Sequence, residues 1–197
     1  METVTPNPQD IKRALRLLIT AIGEDPDREG VLETPDRIMR MWKEVFRGYD
    51  PDRKPRITTF KNQAQAEEIV FDAGDYYSMC EHHILPFFGQ YYFAYIPSPE
   101  GRILGISKVA RVVGYCAARL QLQERLARDI VDMLAEALKG TAQGFAILLR
   151  GRHMCKSMRG VRSRGEMCVS YYTGVFKHDR QLRNEFLSMV DLAKHSE

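Results

Sequence analysis

Cysteine and histidine gather at two places in this chain: Cys80-Glu81-His82-His83 and, far along the sequence, His153-Met154-Cys155. Thiolates and an imidazole suit Zn²⁺, and three protein ligands leave a tetrahedral ion one position for water, as in a catalytic rather than a structural zinc site. Cys80 and His83 stand at a C-x-x-H separation, so one tight turn can aim both at an ion, with Cys155 arriving from elsewhere in the fold. His82 and His153 are then left beside ligands as groups able to move a proton near neutral pH. A lone cysteine or histidine is more often a buried core residue. Two cysteines and three histidines in two short segments outweigh that reading. A structural zinc knuckle would need a fourth ligand at matching spacing, and the other cysteines do not supply one. Cys116 falls at helical spacing with Val109, Val112, Val113 and Leu120 and reads as helix core, while Cys168 sits in a strand-like stretch with no role assigned.

The surroundings of the second segment are basic. Arg150, Arg152, Lys156, Arg159, Arg162 and Arg164 are interrupted by Gly151, Gly160 and Gly165, and cations crowded around a metal site point to an anionic substrate such as a phosphate or polyphosphate. The cluster is short and has few aromatics for base stacking, which argues against nucleic acid. Ser107 sits where a helix N-cap belongs, followed by Lys108 and Arg111. Cations at a helix start oppose its dipole, and that mismatch suggests an anion there.

These residues need a scaffold, and the chain is long enough to provide one. A sequence of 197 residues with 44% hydrophobic content can bury a full core. It holds no apolar run of the roughly 20 residues that cross a membrane, and its first residues lack a signal pattern, so a cytoplasmic protein is expected. A net charge of +3 implies no polyanion partner by itself.

Periodicity predicts the elements. Ile11, Leu15, Leu18 and Ile22 form one helical stripe; Thr34 and Pro35 read as the cap and first residue of a second helix that buries Ile38, Met41, Trp42, Val45 and Phe46. Strands are expected over 67–75 and 88–97, helices over 107–120 and 122–138, strands over 144–152 and 166–176, and a last amphipathic helix through Leu182, Phe186, Met189 and Val190. Paired strands with helices inserted between the pairs indicate an α+β antiparallel sheet covered by helices on one face. The division expected is a helical region over 1–62 and a catalytic domain over 63–197.

The segments Ser78-Met79-Cys80-Glu81-His82-His83, Gly105-Ile106-Ser107-Lys108-Val109-Ala110-Arg111, Gln121-Leu122-Gln123-Glu124-Arg125-Leu126, His153-Met154-Cys155 and Met158-Arg159-Gly160-Val161 closely resemble the motifs of GTP cyclohydrolase I. So do the N-terminal segments 23–30 and 33–37, and the likeness runs in order from about residue 10 to the C-terminus. The resemblance implies the tunnelling fold: four-stranded antiparallel sheets, with two helices between strand pairs, joined around a pentameric barrel, two such rings stacking into a decamer. It implies that Cys80, His83 and Cys155 hold zinc, that Glu124 anchors the guanine ring with Gln123 beside it, and that Lys108, Arg111, Arg159 and Arg37 hold the triphosphate of GTP. His82 and His153 would move protons, and Ser107 would assist ribose opening.

The activity so implied is hydrolytic opening of the purine at C8, with loss of formate and rearrangement to 7,8-dihydroneopterin triphosphate. The chain departs from the family pattern at Arg150, where many members carry an acidic residue, and in the final strand, which reads Met167-Cys168-Val169-Ser170-Tyr171-Tyr172 in place of Thr and Ser. Those changes keep two alternatives open: a specialised paralogue acting on a related purine nucleotide, and a non-catalytic pterin- or nucleotide-binding relative. A base deaminase is disfavoured, because its H-x-E and P-C-x-x-C signature is absent.

Overall fold

In the computed structural model, which describes residues 7–194, the chain forms two compact units that divide between Phe46 and Arg47. The first holds helices α1 (Pro8–Ala21) and α2 (Thr34–Val45). Asn7 caps α1, its side chain accepting the Gln9 N–H, and Pro8 opens the first turn, where no N–H partner is needed. Helix α2 starts one residue earlier than expected: Glu33 holds the cap position without a side-chain bond, and Thr34 is already helical. Lys12 and Asp36 pair at 2.6 Å between the two helices. The expected stripe of α1 narrows to Leu15; Leu18 and Ile22 are 62% and 82% exposed, because α2 covers only one line along α1 within this unit.

The second unit begins earlier than the 63–197 expectation. Gly48 donates its N–H to the Ala118 carbonyl at 2.9 Å and its carbonyl accepts from Arg119 at 2.8 Å, while β1 (Thr59–Lys61) pairs with β4 (Arg102–Leu104). Residues 47–62 are thereby tied to the sheet unit.

The main sheet is built from β2 (Val70–Cys80), β3 (Leu85–Pro97), β6 (Ala142–His153) and β7 (Met167–Gly174), all antiparallel, with the two-residue β5 (Leu120–Gln121) added in parallel beside the end of β2. Helices α3 (Lys108–Ala117) and α4 (Gln123–Leu138) lie in sequence between the two strand pairs, as the α+β reading requires. Strand β2 runs past the expected stop at Asp75, since Tyr76, Ser78 and Cys80 continue the period-two burial to the start of the metal segment. At the far end, Gly174 takes a positive φ that residues with a Cβ avoid, and turns β7 into the short helix α6 (Val175–His178).

Alternation sends successive residues of β3 to opposite faces. Phe87, Tyr91, Phe93 and Tyr95 pack against Val109, Val112, Val113, Leu126, Ile130 and Leu134 of α3 and α4. Tyr92, Ala94 and Ile96 pack with Ala146, Phe176, Phe186 and Val190. The expectation of helices on one face is therefore corrected: α7 (Arg180–Lys194) covers the second face, its Phe186 ring lying 6.2 Å from those of Phe71 and Tyr172. Burial on both sides explains why residues 91–97 read as a continuous apolar run rather than an alternating one. Cys116 is fully buried in α3, as expected, and burial pushes its thiol up to about 12.

Candidate metal and catalytic site

The site forms where three strand ends meet. β2 finishes at Cys80, a turn carries Glu81, His82, His83 and Ile84, and β3 starts at Leu85 opposite Cys80. The Ile84 N–H returns to the Cys80 carbonyl at 2.9 Å, with Ile84 in the left-handed region at φ 53°, a strained choice for a β-branched residue. β6 ends at His153, opposite Phe87, and its continuation α5 (Met154–Ser157) carries Cys155.

Sulfur and nitrogen ligand atoms of Cys80, Cys155 and His153 all lie within 4.8 Å of one another. The two Sγ atoms are 3.8 Å apart, nearly twice a disulfide bond length, and both cysteines are free. Burial, and then the Cys80 sulfur beside it, raises the Cys155 thiol above its ordinary value. Two thiolates this close repel, and a dication between them removes that penalty; two soft sulfurs with an imidazole in reach fit zinc.

His83 is not in that cluster. Its ring is exposed and its Nε2 lies 2.6 Å from the Arg159 guanidinium. His82 places Nδ1 3.7 Å from Cys80 Sγ. Arg159 is near enough to Cys155 to favour its thiolate, so His82 and Arg159 border the cysteine pair, and His83 reaches it through Arg159.

His153 is the most constrained of the histidines. Its ring stacks on Phe87, centroids 4.4 Å apart and planes within 6°, and its Nε2 lies 2.9 Å from Gln123 Oε1. Burial pushes its imidazole below the ordinary value; Glu124 acts in the opposite sense, while Lys156 and His82 push it further down. Glu124 itself is exposed in the first turn of α4, on the side of the site that His153 occupies.

Gln123 is buried beside the exposed Glu124 at the start of α4. It is 1% exposed, its Nε2 donates to the carbonyls of Leu149 and Met167 at 3.0 Å each, and its Oε1 faces His153. Both polar atoms of this side chain thus have partners within the protein. The start of α4 is also clamped to the metal turn: Arg125 donates to Glu81, Gln121 Oε1 and the Leu120 carbonyl, and the Glu81 N–H donates to the Gln121 carbonyl. The sequence offered no sign of these roles, since a glutamine in a helix-forming stretch reads equally well as solvated.

The other candidates stand apart. Ser107 holds the N-terminal position of α3 without capping it, so its hydroxyl is not spent on helix amides; it and Arg111 are exposed, Lys108 partly so. Among the described residues, no hydrogen bond, ion pair or ring contact joins Ser107, Lys108 or Arg111 to the cysteine pair. Arg37 belongs to the N-terminal unit, where it pairs with Glu33 at 2.9 Å. Arg150 pairs with Glu166 at 2.6 Å and lies on the strand positions that alternate with Leu149, Gly151 and His153, so it leaves the cluster around Cys155.

Among the described residues no helix is long and apolar enough to cross a membrane. The chain is 45% identical over 187 residues to GTP cyclohydrolase 1 of Thermoanaerobacter pseudethanolicus, covering 94% of this chain and 98% of the relative. It is 43% identical over 181 residues to GTP cyclohydrolase 1 of Geobacillus kaustophilus, covering 91% and 95%. Among solved structures, an archaeosine synthase QueF-like protein in the apo form aligns at a TM-score of 0.42 and 19% identity, over 54% of this chain and 93% of that one. The family model for GTP cyclohydrolase I matches residues 11–191, and with these relatives it establishes that the chain belongs to the GTP cyclohydrolase I family of enzymes.

Proposed function

We propose that this enzyme opens the purine ring of GTP hydrolytically at C8, releases formate and rearranges the remainder to 7,8-dihydroneopterin triphosphate, with zinc held by Cys80, His83 and Cys155. The observation that carries the reading is the meeting of Cys80, Cys155 and His153 within 4.8 Å, in a chain whose family match spans residues 11–191. Of the two imidazoles that can complete the ligand set, His83 is the one free to turn: a single bond to an exposed arginine holds it, whereas His153 is stacked on Phe87 and tied to Gln123. When bound, zinc supplies a Lewis acid that lowers the pKa of water and so provides a nucleophile near neutral pH.

The chain's own residues account for the remaining steps. His153, held by Phe87 and Gln123, and His82, beside Cys80, exchange protons with the opening imidazole ring of the purine. Glu124 accepts the guanine N1–H and 2-amino hydrogens as a pair, which adenine cannot donate. Arg159, at the cysteine pair, binds a phosphate oxygen, with Lys108, Arg111 and Arg37 completing the triphosphate site from neighbouring subunits, and Ser107 assisting ribose opening. That division of labour requires an oligomer, and the open edges of the sheet, along β7 and along most of β2, suit closure into a ring of copies stacked as a decamer.

The test is direct: purified protein with GTP or ATP, reading formate release and pterin fluorescence. GTP turnover with ATP strongly disfavoured is expected, and Glu124→Gln should lower GTP turnover without lowering the melting temperature. Equal turnover of both nucleotides would defeat the guanine assignment.

A further inference from the structure

The residues that touch His153 fix more than its position. The Gln123 amide nitrogen lies 3.0 Å from two backbone carbonyls, those of Leu149 in β6 and Met167 at the start of β7. Carbonyls only accept, so both amide hydrogens are committed to them and the amide cannot be flipped without setting oxygen against oxygen twice in a buried place. Oε1 must therefore face His153, and an amide oxygen only accepts. The 2.9 Å contact to His153 Nε2 then requires a hydrogen on that nitrogen.

Local packing leaves the pair no other arrangement. The His153 ring is stacked flat on Phe87, which prevents it from turning away. Beneath the amide, Gly151 supplies no side chain: a Cβ there would stand 2.6 Å from Gln123 Oε1 and closer still to the hydroxyl of Tyr76. The strand thus makes room for this amide at the one residue where it passes under it.

We propose that Gln123 is a positioning residue that holds the His153 ring in place and fixes it as the Nε2–H tautomer. The proposal rests on the reading of His153 as a working group of the site and fixes which of its ring nitrogens carries the hydrogen. It also moves Gln123 from the substrate to the support of the site.

Two measurements test it. In zinc-loaded, ¹⁵N-labelled protein, two-bond ¹H–¹⁵N correlation of the histidine rings, with His153 assigned by its absence in His153→Asn, should report a protonated Nε2. A His153 protonated at Nδ1 instead would overturn the proposal, whether or not the protein turns over GTP, so its failure is distinct from failure of the functional reading. Gln123→Leu removes the acceptor at similar volume; kcat should drop about 10- to 100-fold, the usual scale for an outer group that orients a site, with KM for GTP nearly unchanged and zinc retained. A Gln123→Leu enzyme that keeps kcat and raises KM would return Gln123 to the guanine. Should Gln123→Leu fail to fold, the wild-type tautomer decides alone.

Discussion

At the scale of single residues the site is a competition between two imidazoles for one role. Spacing along the sequence favours His83 as the third zinc ligand, and proximity favours His153. If His83 is the ligand, His83→Ala should lose zinc along with activity, while His153→Ala should keep zinc and lose rate by about 10²- to 10⁴-fold, the scale of general acid-base catalysis. Metal analysis of the two purified variants separates the roles, and a zinc-replete His83→Ala alongside a zinc-free His153→Ala would exchange them. Cys155→Ala should lose metal and activity in either case, since it removes one of the two thiols that meet in the cluster. The sequence made this cluster legible because cysteine and histidine carry their chemistry in their identity. Gln123 was illegible for the opposite reason: its role depends on which atoms surround it, and residue type alone does not distinguish a buried amide from a solvated one.

At the scale of elements, the strand and helix order followed from periodicity, whereas their ends and faces did not. β2 outran its expected end because Gly74 and Asp75 look like a turn, although Asp75 is exposed on a strand whose alternate residues stay buried. α7 went unseen as a cover for the second face because its apolar stripe reports that it packs, not against what. One pairing inside the sheet makes a measurable prediction. Asp72 in β2 accepts the Tyr91 hydroxyl at 2.8 Å, and burial raises its carboxyl above the ordinary range in spite of that bond. A raised folded-state pKa means that the folded form holds the proton more tightly. The associated stability is present below the unfolded value, about 3.9, and is lost as pH rises through the folded value. Asp72→Asn keeps an acceptor and cannot ionise, so its melting temperature should gain on that of the natural protein between pH 4 and pH 7. A constant difference across that range would mean that Asp72 is as free as in the unfolded chain.

At the scale of the whole molecule, the candidate residues divide into a set joined within one chain and a set that is not. Cys80, Cys155 and His153 meet, His82 lies beside Cys80, Arg159 links His83 to this cluster, and Gln123 holds His153. Lys108 and Arg111 are exposed or partly so at the start of α3, without a bond to that cluster among the described residues. A family motif carries both sets equally, because a sequence does not record which copy of the chain a residue serves. If neighbouring subunits complete the triphosphate site, zinc binding and turnover should separate on dissociation. Zinc should stay with the isolated chain, which itself brings Cys80, Cys155 and His153 together, while turnover per chain should fall as dilution shifts the sedimenting species toward smaller forms. Mixing supplies the sharper measurement. Inactive Arg111→Ala and inactive Cys155→Ala chains, unfolded and refolded together, should regain a fraction of activity, since some sites would then draw zinc ligands from one variant and Arg111 from the other. Recovery no greater than the sum of the two variants refolded separately would assign the whole site to a single chain.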